Sequence, residues 1–319
     1  MPPDAHARRA SFRKRLASGD LILAPGADSG MGASLVERAG HECVYMTGSG
    51  VANKLLGKAD VGLLSLTEMA MMVRFLVQAT RLPVIADADS GYGNAVNVMR
   101  TVEEYEAAGA TGLHLEDQVV PKRCGSIAGK EVVPADEMAG KIRAALDARG
   151  DENLVIIART DARGPHGLDE AIRRGQIYAA AGADMIFPDA LLSVEEYAAF
   201  AKAVPGPKVF NMGGYARKRT TPKIPLGEVA ELGYCLVLFP LASIRAGIRS
   251  ELDFLVGLRE RGTEFEVEHL RELEGHAVEN WYEFTGISHI RAFEERYLPA
   301  ASVAARYTNS AGHMPGEDR

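Results

Sequence analysis

Short apolar runs alternate along the chain with longer segments in which apolar residues recur at helical spacing. Brief apolar runs bounded by polar or turn residues are typical of buried parallel strands, and the amphipathic segments between them are typical of crossover helices. The pattern predicts eight strands, at 21–24, 43–46, 84–88, 112–116, 155–159, 185–188, 208–211 and 236–239.

Repeated strand–helix units define the predicted fold class, α/β. The segments between the strands, such as "TEMAMMVRFLVQATR" and "ADEMAGKIRAALDAR", end at glycine or a basic residue, as helices commonly do. Eight such units in 319 residues predict a TIM (β/α)8 barrel. The alternative is an open doubly wound sheet, but "GADSGMGAS" after the first strand lacks the spacing of its phosphate-binding fingerprint.

The two ends of the chain are predicted to be helical. Residues 1–20 are rich in arginine, and Phe12 and Leu16 have the spacing of a helix that leads into the first strand. No segment resembles an interdomain linker, so residues 1–319 are expected to form one barrel domain with a helical extension at 250–319. Because this is more helix than one barrel needs, we expect a homo-oligomer, a dimer or a tetramer.

Composition restricts the classes of partner. The net charge of −7, with both signs scattered, argues against a nucleic-acid or membrane surface and fits a protein that binds small molecules. The three cysteines have neither the even count nor the spacing of a disulfide framework, which predicts a reducing, cytoplasmic location. Cys43 and Cys235 lie in apolar runs and are expected to be buried.

Acidic residues follow two neighbouring predicted strands. Asp87 and Asp89 are two positions apart, so the strand period directs both carboxylates to one side, and Glu116 ends the next strand. Three convergent oxygen ligands suit Mg²⁺ held partly through water, with Mn²⁺ as an alternative. The competing interpretation is that these acids form structural ion pairs with arginines. His114, on the same face as Glu116, is expected to be a hydrogen-bonded core residue.

Candidate anion-binding groups end other strands. The guanidinium of Arg159 can hold a carboxylate or an enolate oxygen in a bidentate contact, although Asp161 could neutralise it locally. The segment "VYMTGSG" offers a phenol, two hydroxyls and glycine N–H groups that could bind the carboxylate of an α-keto or α-hydroxy acid: Tyr45, Thr47, Gly48 and Ser49.

The polar segment "PKRCGSIAGK" contains the third cysteine. Two basic residues precede Cys124 and Gly125 follows it, a setting expected to lower the pKa of the thiol and to let the backbone approach a ligand. The alternative is a surface loop with an incidental cysteine.

The motifs together resemble the isocitrate lyase and phosphoenolpyruvate mutase superfamily. The resemblance lies in "DADSGYGNAVNVMRTVEEYEAAGATGLHLEDQVVPKRCG", with "ARTDA", "FPDAL", "NMGG" and "LFPLASIRA" extending it in order from about residue 12 to 249. It implies a barrel with a C-terminal helix exchanged between subunits, Mg²⁺ dependence, and an enolate-like intermediate of a small α-oxo or α-hydroxy acid. It also implies that the segment around Cys124 is a gating loop typical of the carbon–carbon lyases.

The resemblance also implies roles for individual residues. Deprotonation of a substrate hydroxyl involves Tyr45, the C–C bond breaks in a retro-Claisen sense, Arg159 offsets developing charge, and Cys124 protonates the carbanionic product. Lys122 joins this catalytic group. Substrate contacts are expected from Thr47, Gly48, Ser49, Asp60, Gly125, Ser126, Asp189, Asn211 and Arg245.

Three departures from the family pattern leave the substrate less defined than the reaction. Ser126 replaces a histidine, Asp189 replaces a glutamate, and Gly214 stands where the Asn-x-x-Glu pattern has its acid. The predicted function is a Mg²⁺-dependent lyase acting on a 2-methylisocitrate- or 2,3-dimethylmalate-like acid. Alternatives are an oxaloacetate hydrolase or decarboxylase, a phosphonopyruvate-type enzyme, and a binding barrel without turnover.

Overall fold

Eight parallel strands form the centre of the chain in the computed structural model, which describes residues 4–213, 221–308 and 312–316. All eight predicted strands are confirmed, and three of them match to the residue. The strands are β1 (Ile22–Ala27), β2 (Val44–Met46), β3 (Val84–Asp87), β4 (Gly112–Glu116), β5 (Val155–Thr160), β6 (Met185–Pro188), β7 (Val209–Asn211) and β8 (Leu236–Phe239).

The strand order closes the sheet into a barrel. Neighbours run β6-β5-β4-β3-β2-β1-β8-β7, so every strand lies beside its neighbours in sequence and β1 pairs with β8. The remaining seam, between β6 and β7, is joined by one bridge, Ile186 to Lys208. An open doubly wound sheet would reverse its strand order at a switch point, which is not observed here. The predicted TIM-barrel fold is therefore confirmed.

Helices connect the strands and continue beyond them. Local sequence fixes several starts: Ser65 and Glu68 form a capping box at one helix, and Asn94 and Asn97 form another. The helices are α1 (Ala5–Ala17), α2 (Gly30–Arg38), α3 (Gly48–Leu56), α4 (Leu66–Ala79), α5 (Ala95–Ala107), α6 (Ala135–Ala148), α7 (Arg163–His166), α8 (Leu168–Ala180), α9 (Val194–Ala203), α10 (Leu226–Glu231), α11 (Ala242–Arg261), α12 (Thr263–Glu272), α13 (Trp281–Phe284), α14 (Ile287–Tyr297) and α15 (Ala300–Tyr307).

The core has two parts. A large cluster packs helices against the outside of the barrel, and a smaller one gathers alternate strand residues such as Ile22, Ile157 and Leu238 together with Phe12 of α1. Side chains alternate across a strand, so the second cluster fills the barrel interior. Cys43 and Cys235 belong to it and are buried, as predicted.

By its contacts the chain divides into two compact units, Met1–Gly247 and Ile248–Arg319. The first contains the whole barrel. The second covers the predicted extension at 250–319, and within it Phe254 packs against Phe265 and His269 with ring centroids 5.6 and 4.9 Å apart. In the described part of the chain, no helix combines the length and the hydropathy needed to cross a bilayer. Helix exchange and oligomerisation stay predictions, since the structure contains one chain.

Candidate active site

A cavity of about 580 Å³ opens at the carboxyl ends of the strands. This end is where a barrel of this kind places its active site. Most of the residues singled out from the sequence line it: Tyr45, Thr47, Ser49, Asp60, Asp87, Cys124, Gly125, Ser126, Arg159, Asp189, Asn211 and Arg245. The other predicted residues do not line the cavity directly and contact its lining instead: Gly48, Asp89, Glu116 and Lys122.

Asp87 is the best-connected carboxylate of the cavity floor. Its Oδ2 accepts hydrogen bonds from Gly48 N at 3.1 Å and Tyr45 Oη at 3.4 Å, and its Oδ1 accepts from Asp89 N at 3.0 Å. Burial would raise the pKa of Asp87, but nearby His114, Lys122 and Arg159 outweigh it and hold the pKa at about 2. Asp87 is therefore an anion at neutral pH.

Lys122 joins two carboxylates beside Asp87. Its Nζ lies 2.7 Å from Asp60 Oδ2 and 2.7 Å from Asp89 Oδ1, and its side chain is 4% exposed. Burial raises the pKa of Asp89 to about 6, against the opposing effect of Lys122. The ion pairing that the competing interpretation expects is therefore observed at Asp89, but its partner is Lys122, from a distant segment, rather than an arginine.

Arg159 is surrounded by acids. Its Nη1 lies 3.2 Å from Glu116 Oε2, its Nε donates to Asp161 at 2.8 Å, and its Nη2 donates to Asp189 at 3.2 Å. The local neutralisation by Asp161 that the sequence left open is thus observed. One edge of the guanidinium still borders the cavity. Arg159 also lies over the ring of Phe187, 5.2 Å from its centroid.

Asp117 fixes the strand end that carries this arginine. The buried carboxylate accepts hydrogen bonds from Asp161 N at 2.8 Å, Thr160 Oγ1 at 2.8 Å, Tyr178 Oη at 2.7 Å and Arg174 Nη1 at 3.0 Å. Both oxygens of the carboxylate accept hydrogen bonds, one at Oδ1 and three at Oδ2, which makes it a satisfied buried network. Arg159 and Asp161 are consequently held in one orientation.

Cys124 lies in a loop that rests directly on this acidic cluster. Its N–H donates to Asp60 O at 3.1 Å, and a Cβ placed on Gly125 would lie 1.7 Å from Asp189 Oδ2, so only glycine fits there. The predicted lowering of the thiol pKa is wrong: burial raises the pKa of Cys124. The basic neighbours do not reverse this, since the Lys122 ammonium is committed to Asp60 and Asp89.

The "VYMTGSG" segment joins β2 to α3 and has internal tasks. Tyr45 Oη lies 2.9 Å from His114 Nε2, and burial raises the pKa of this phenol well above its usual value. Thr47 Oγ1 accepts from Gly50 N as the N-cap of α3. Gly48 donates its N–H to Asp87, so it is not the free ligand donor predicted from the sequence. Ser49 keeps its predicted place in the cavity wall. His114 is fully buried, as expected.

Asp87, Asp89 and Glu116 are the candidate ligands of a divalent cation. Within residues 4–213, 221–308 and 312–316 no three His, Cys, Asp or Glu side chains form a group that could hold a metal ion by themselves. Glu116 Oε1 is nevertheless buried with no hydrogen-bond partner among these residues. In the ion-paired cluster around Lys122, Lys130 and Arg159, the carboxyl groups outnumber these three cations; they are Asp60, Asp87, Asp89, Glu116, Asp161 and Asp189. A hard cation that keeps part of its water shell fits this set.

Sequence reasoning missed part of the cavity. Met212, Phe239, Leu241 and Ala242 form an apolar wall, and Lys223 lies beside them, with its Nζ donating to Met212 O. The four apolar residues lie in the "NMGG" and "LFPLASIRA" motifs, from which only Asn211 and Arg245 were predicted as site residues. Gly214 lies outside the described residues.

Comparisons with known proteins find similar sequences and structures. The family model described as phosphoenolpyruvate phosphomutase matches residues 12–252. A 2,3-dimethylmalate lyase of Eubacterium barkeri is 44% identical over 254 residues, 80% of this chain and 87% of the relative. A 2-methylisocitrate lyase of Aeropyrum pernix is 41% identical over 256 residues, 80% and 81% of the two chains. The structure of a phosphonopyruvate hydrolase with oxalate and Mg²⁺ has a TM-score of 0.79 at 33% identity, over 92% of this chain and 99% of that one.

Proposed function

The chain belongs to the phosphoenolpyruvate phosphomutase family, and from that premise we propose that it is a carbon–carbon lyase. Its substrate is a substituted 2-hydroxy di- or tricarboxylic acid, and its products are an α-keto acid and a carboxylate. The nearest candidates are 2,3-dimethylmalate and 2-methylisocitrate, the acids named in the two relatives.

One observation carries the proposal: Cys124 and Arg159 line the same cavity as the carboxylate of Asp87. A lyase of this type needs an acid for the carbanionic fragment and a cation for the developing enolate. Burial raises the pKa of Cys124 and keeps the thiol protonated, which suits a proton donor.

The proposed reaction starts at the substrate hydroxyl. Because the pKa of Tyr45 is raised, this phenol takes part as a protonated relay rather than as a resting phenolate: its oxygen accepts the hydroxyl proton while its own proton passes to His114 Nε2. The electron pair of the breaking C–C bond moves onto the departing carboxylate fragment, and the hydroxyl carbon becomes the keto carbon. Arg159 offsets the developing charge, Cys124 protonates the fragment, and the proton held by His114 returns through solvent to the Cys124 thiolate after product release.

Mg²⁺, or Mn²⁺ in its place, is the proposed cofactor. Asp87, Asp89 and Glu116 would hold it, partly through water, and a bound divalent cation supplies Lewis-acid stabilisation of the keto-acid oxygens. The orphaned oxygen of Glu116 and the excess of buried acids support this assignment.

The variable part of the substrate is proposed to face the apolar wall. Asp189 stays attached to Arg159 and to Asn211 Nδ2, the latter at 2.8 Å, so its shorter side chain does not reach as far into the cavity as a glutamate would. Alkyl groups gain free energy from contact with apolar surface, which favours alkyl-substituted acids. The proposed setting is the cytoplasm, with a small carboxylic acid as ligand and a homodimer or homotetramer as the assembly.

The test is a panel of substituted malates and isocitrates, each incubated with Mg²⁺ and assayed for pyruvate or glyoxylate, with EDTA as the metal-free arm. We expect a keto acid from at least one alkylated acid, and loss of turnover with EDTA. Cys124→Ser should lower kcat by about 10²- to 10⁴-fold, the usual contribution of a positioned general acid, while ligand binding persists. Cys235→Ser, at a buried cysteine in the barrel interior, is the matched control and should keep its activity. Undiminished turnover in Cys124→Ser would remove the proposed acid.

A second candidate is hydrolysis or decarboxylation of oxaloacetate, or phosphonopyruvate-type chemistry. The structural similarity to a phosphonopyruvate hydrolase supports this second candidate. Product analysis separates the branches, because oxalate with acetate, carbon dioxide or phosphate each identify one reaction. Tight binding of oxalate without any product would favour a binding barrel.

A further inference from the structure

Lys130 ends the loop that carries Cys124, and neither its sequence position nor the cavity lining assigns it a role. Its side chain is only 5% exposed, which is rare for a lysine without a specific partner. The Nζ donates to Gly125 O at 2.8 Å and to Asp161 Oδ1 at 2.9 Å, and it lies 3.8 Å from Asp189 Oδ2.

The two hydrogen-bond partners belong to different parts of the site. Gly125 follows Cys124 in the loop, whereas Asp161 follows β5 and pairs with Arg159 through two bonds of 2.8 and 3.0 Å. Asp161 is itself fixed through its N–H to the Asp117 network. The ammonium of Lys130 therefore links the loop to a rigid strand end.

The two halves of the loop are attached separately. Gln118 bonds both the N–H and the carbonyl of Arg123, at 3.0 and 2.8 Å, and Cys124 N–H bonds Asp60. Among residues 125–130 of the described chain, the hydrogen bonds to a strand end come from the Lys130 ammonium, whereas the backbone of Glu131 and Val133 bonds to Val119 and Asp117 after β4. Removal of the Lys130 side chain would release residues 125–129, while the Cys124 N–H and the backbone from Glu131 onward stay attached.

We propose that Lys130 is a positioning residue that holds Gly125 against Asp161 and thereby keeps the Cys124 sulfur over the cavity beside Arg159. This inference deepens the proposed function, because the held thiol is the proposed acid. Its structural content does not depend on the identity of the substrate.

The test compares Lys130→Met with Lys130→Arg in the full chain. Without ligand, the alkylation rate of Cys124 by iodoacetamide is followed by mass spectrometry of its peptide. We expect Lys130→Met to react at least about tenfold faster, since release of the loop is a local opening, and Lys130→Arg to stay near the wild type. Loss of a cation can only disfavour the thiolate and slow alkylation, so a faster reaction reports exposure.

Lys208→Met is the matched control. Lys208 is also a buried lysine, but it lies at the amino end of β7 and donates to Gly206 O. In Lys208→Met, the alkylation rate of Cys124 should equal that of the wild type. The buried Cys43 and Cys235 are internal references, because their alkylation would report global unfolding.

Turnover supplies a second readout. On any acid that the wild type cleaves, kcat of Lys130→Met should fall about 10- to 100-fold with KM little changed, and Lys130→Arg should recover most of it. If Lys130→Met does not fold, Lys130→Gln is examined in the same two assays. An unchanged alkylation rate at Cys124 would overturn the positioning role, whether or not a substrate is found. Failure of every acid in the panel would instead refute the proposed function alone.

Discussion

Gly125→Ala tests whether the loop must lie directly on the acidic cluster. The added Cβ would stand 1.7 Å from Asp189 Oδ2 and 2.8 Å from Arg159 Nη2, where real Cβ contacts are essentially never shorter than 3.0 Å. Asp189 cannot easily yield, since Arg159 and Asn211 both hold it. The loop must therefore lift by about 1.3 Å, so that the added Cβ moves from 1.7 Å to 3.0 Å from Asp189 Oδ2.

A lift of this size has a predictable kinetic cost. A displacement of about 1 Å of a reacting group can cost roughly 10²-fold in rate, which corresponds to about 2.7 kcal/mol of activation free energy. We therefore expect kcat to fall roughly 100-fold and the alkylation rate of Cys124 to rise. The assay is steady-state turnover of the accepted acid, together with iodoacetamide labelling.

Gly140→Ala is the matched control. Gly140 lies inside α6, nothing is within 4 Å of its added Cβ, and alanine is the better helix former. This variant should keep wild-type kcat and gain stability of about 0.4–1 kcal/mol. Wild-type kcat in Gly125→Ala would refute the argument that the loop acts from the observed position.

Two further predictions concern stability. Asp117→Asn should lower the free energy of unfolding, measured by urea denaturation, by about 2–5 kcal/mol. The substitution leaves a buried donor unsatisfied and removes the negative charge that faces Arg174. Glu170 also pairs with Arg174, which keeps the loss of stability from being larger. Asp253→Asn, at an exposed pair with Arg249, should change it by less than about 0.5 kcal/mol; a loss below about 1 kcal/mol for Asp117→Asn would contradict the network argument. Burial would raise the pKa of Asp151, but hydrogen bonds from Asn153, His6 and Arg9 outweigh it and lower the pKa to about 2. The contribution of Asp151 to the stability of the fold is therefore complete above the pKa of this group in the unfolded chain, and it is lost as the pH falls towards 2. The stability difference between wild type and Asp151→Asn should shrink steadily from pH 5 to pH 3, and a constant difference would show that Asp151 contributes no pH-dependent term.

Strand positions were predictable from sequence because burial imposes a short apolar run on every strand of a closed barrel. β1 shows the limit: the predicted strand ended at residue 24, yet the observed strand continues through Pro25 and Gly26 to Ala27. Proline and glycine usually interrupt strands, but here Gly26 and Ala27 still pair with β2. That pairing depends on tertiary context, which local sequence does not contain.

The sequence predicted which residues lie at the strand ends and what chemical groups they carry, but it did not predict which residues they contact. Two basic residues before Cys124 suggested an activated thiolate, whereas Lys122 points to Asp60 and Asp89 and burial dominates the thiol. Lys130 gave no signal beyond ending a polar loop. Its importance emerges only when Gly125 and Asp161 are brought together in space.

The seam between β6 and β7 bears on how such a protein could change its substrate. Asp189 follows β6 and Asn211 ends β7, and both line the cavity together with Met212 of the apolar wall. The Asn211–Asp189 hydrogen bond therefore connects the two sides of this seam, which has a single bridge. Fewer residues are paired here than between any other two neighbouring strands of the described barrel. Accommodation of new side groups can thus evolve on this flank, while the strands that carry Asp87 and Glu116 keep their pairing.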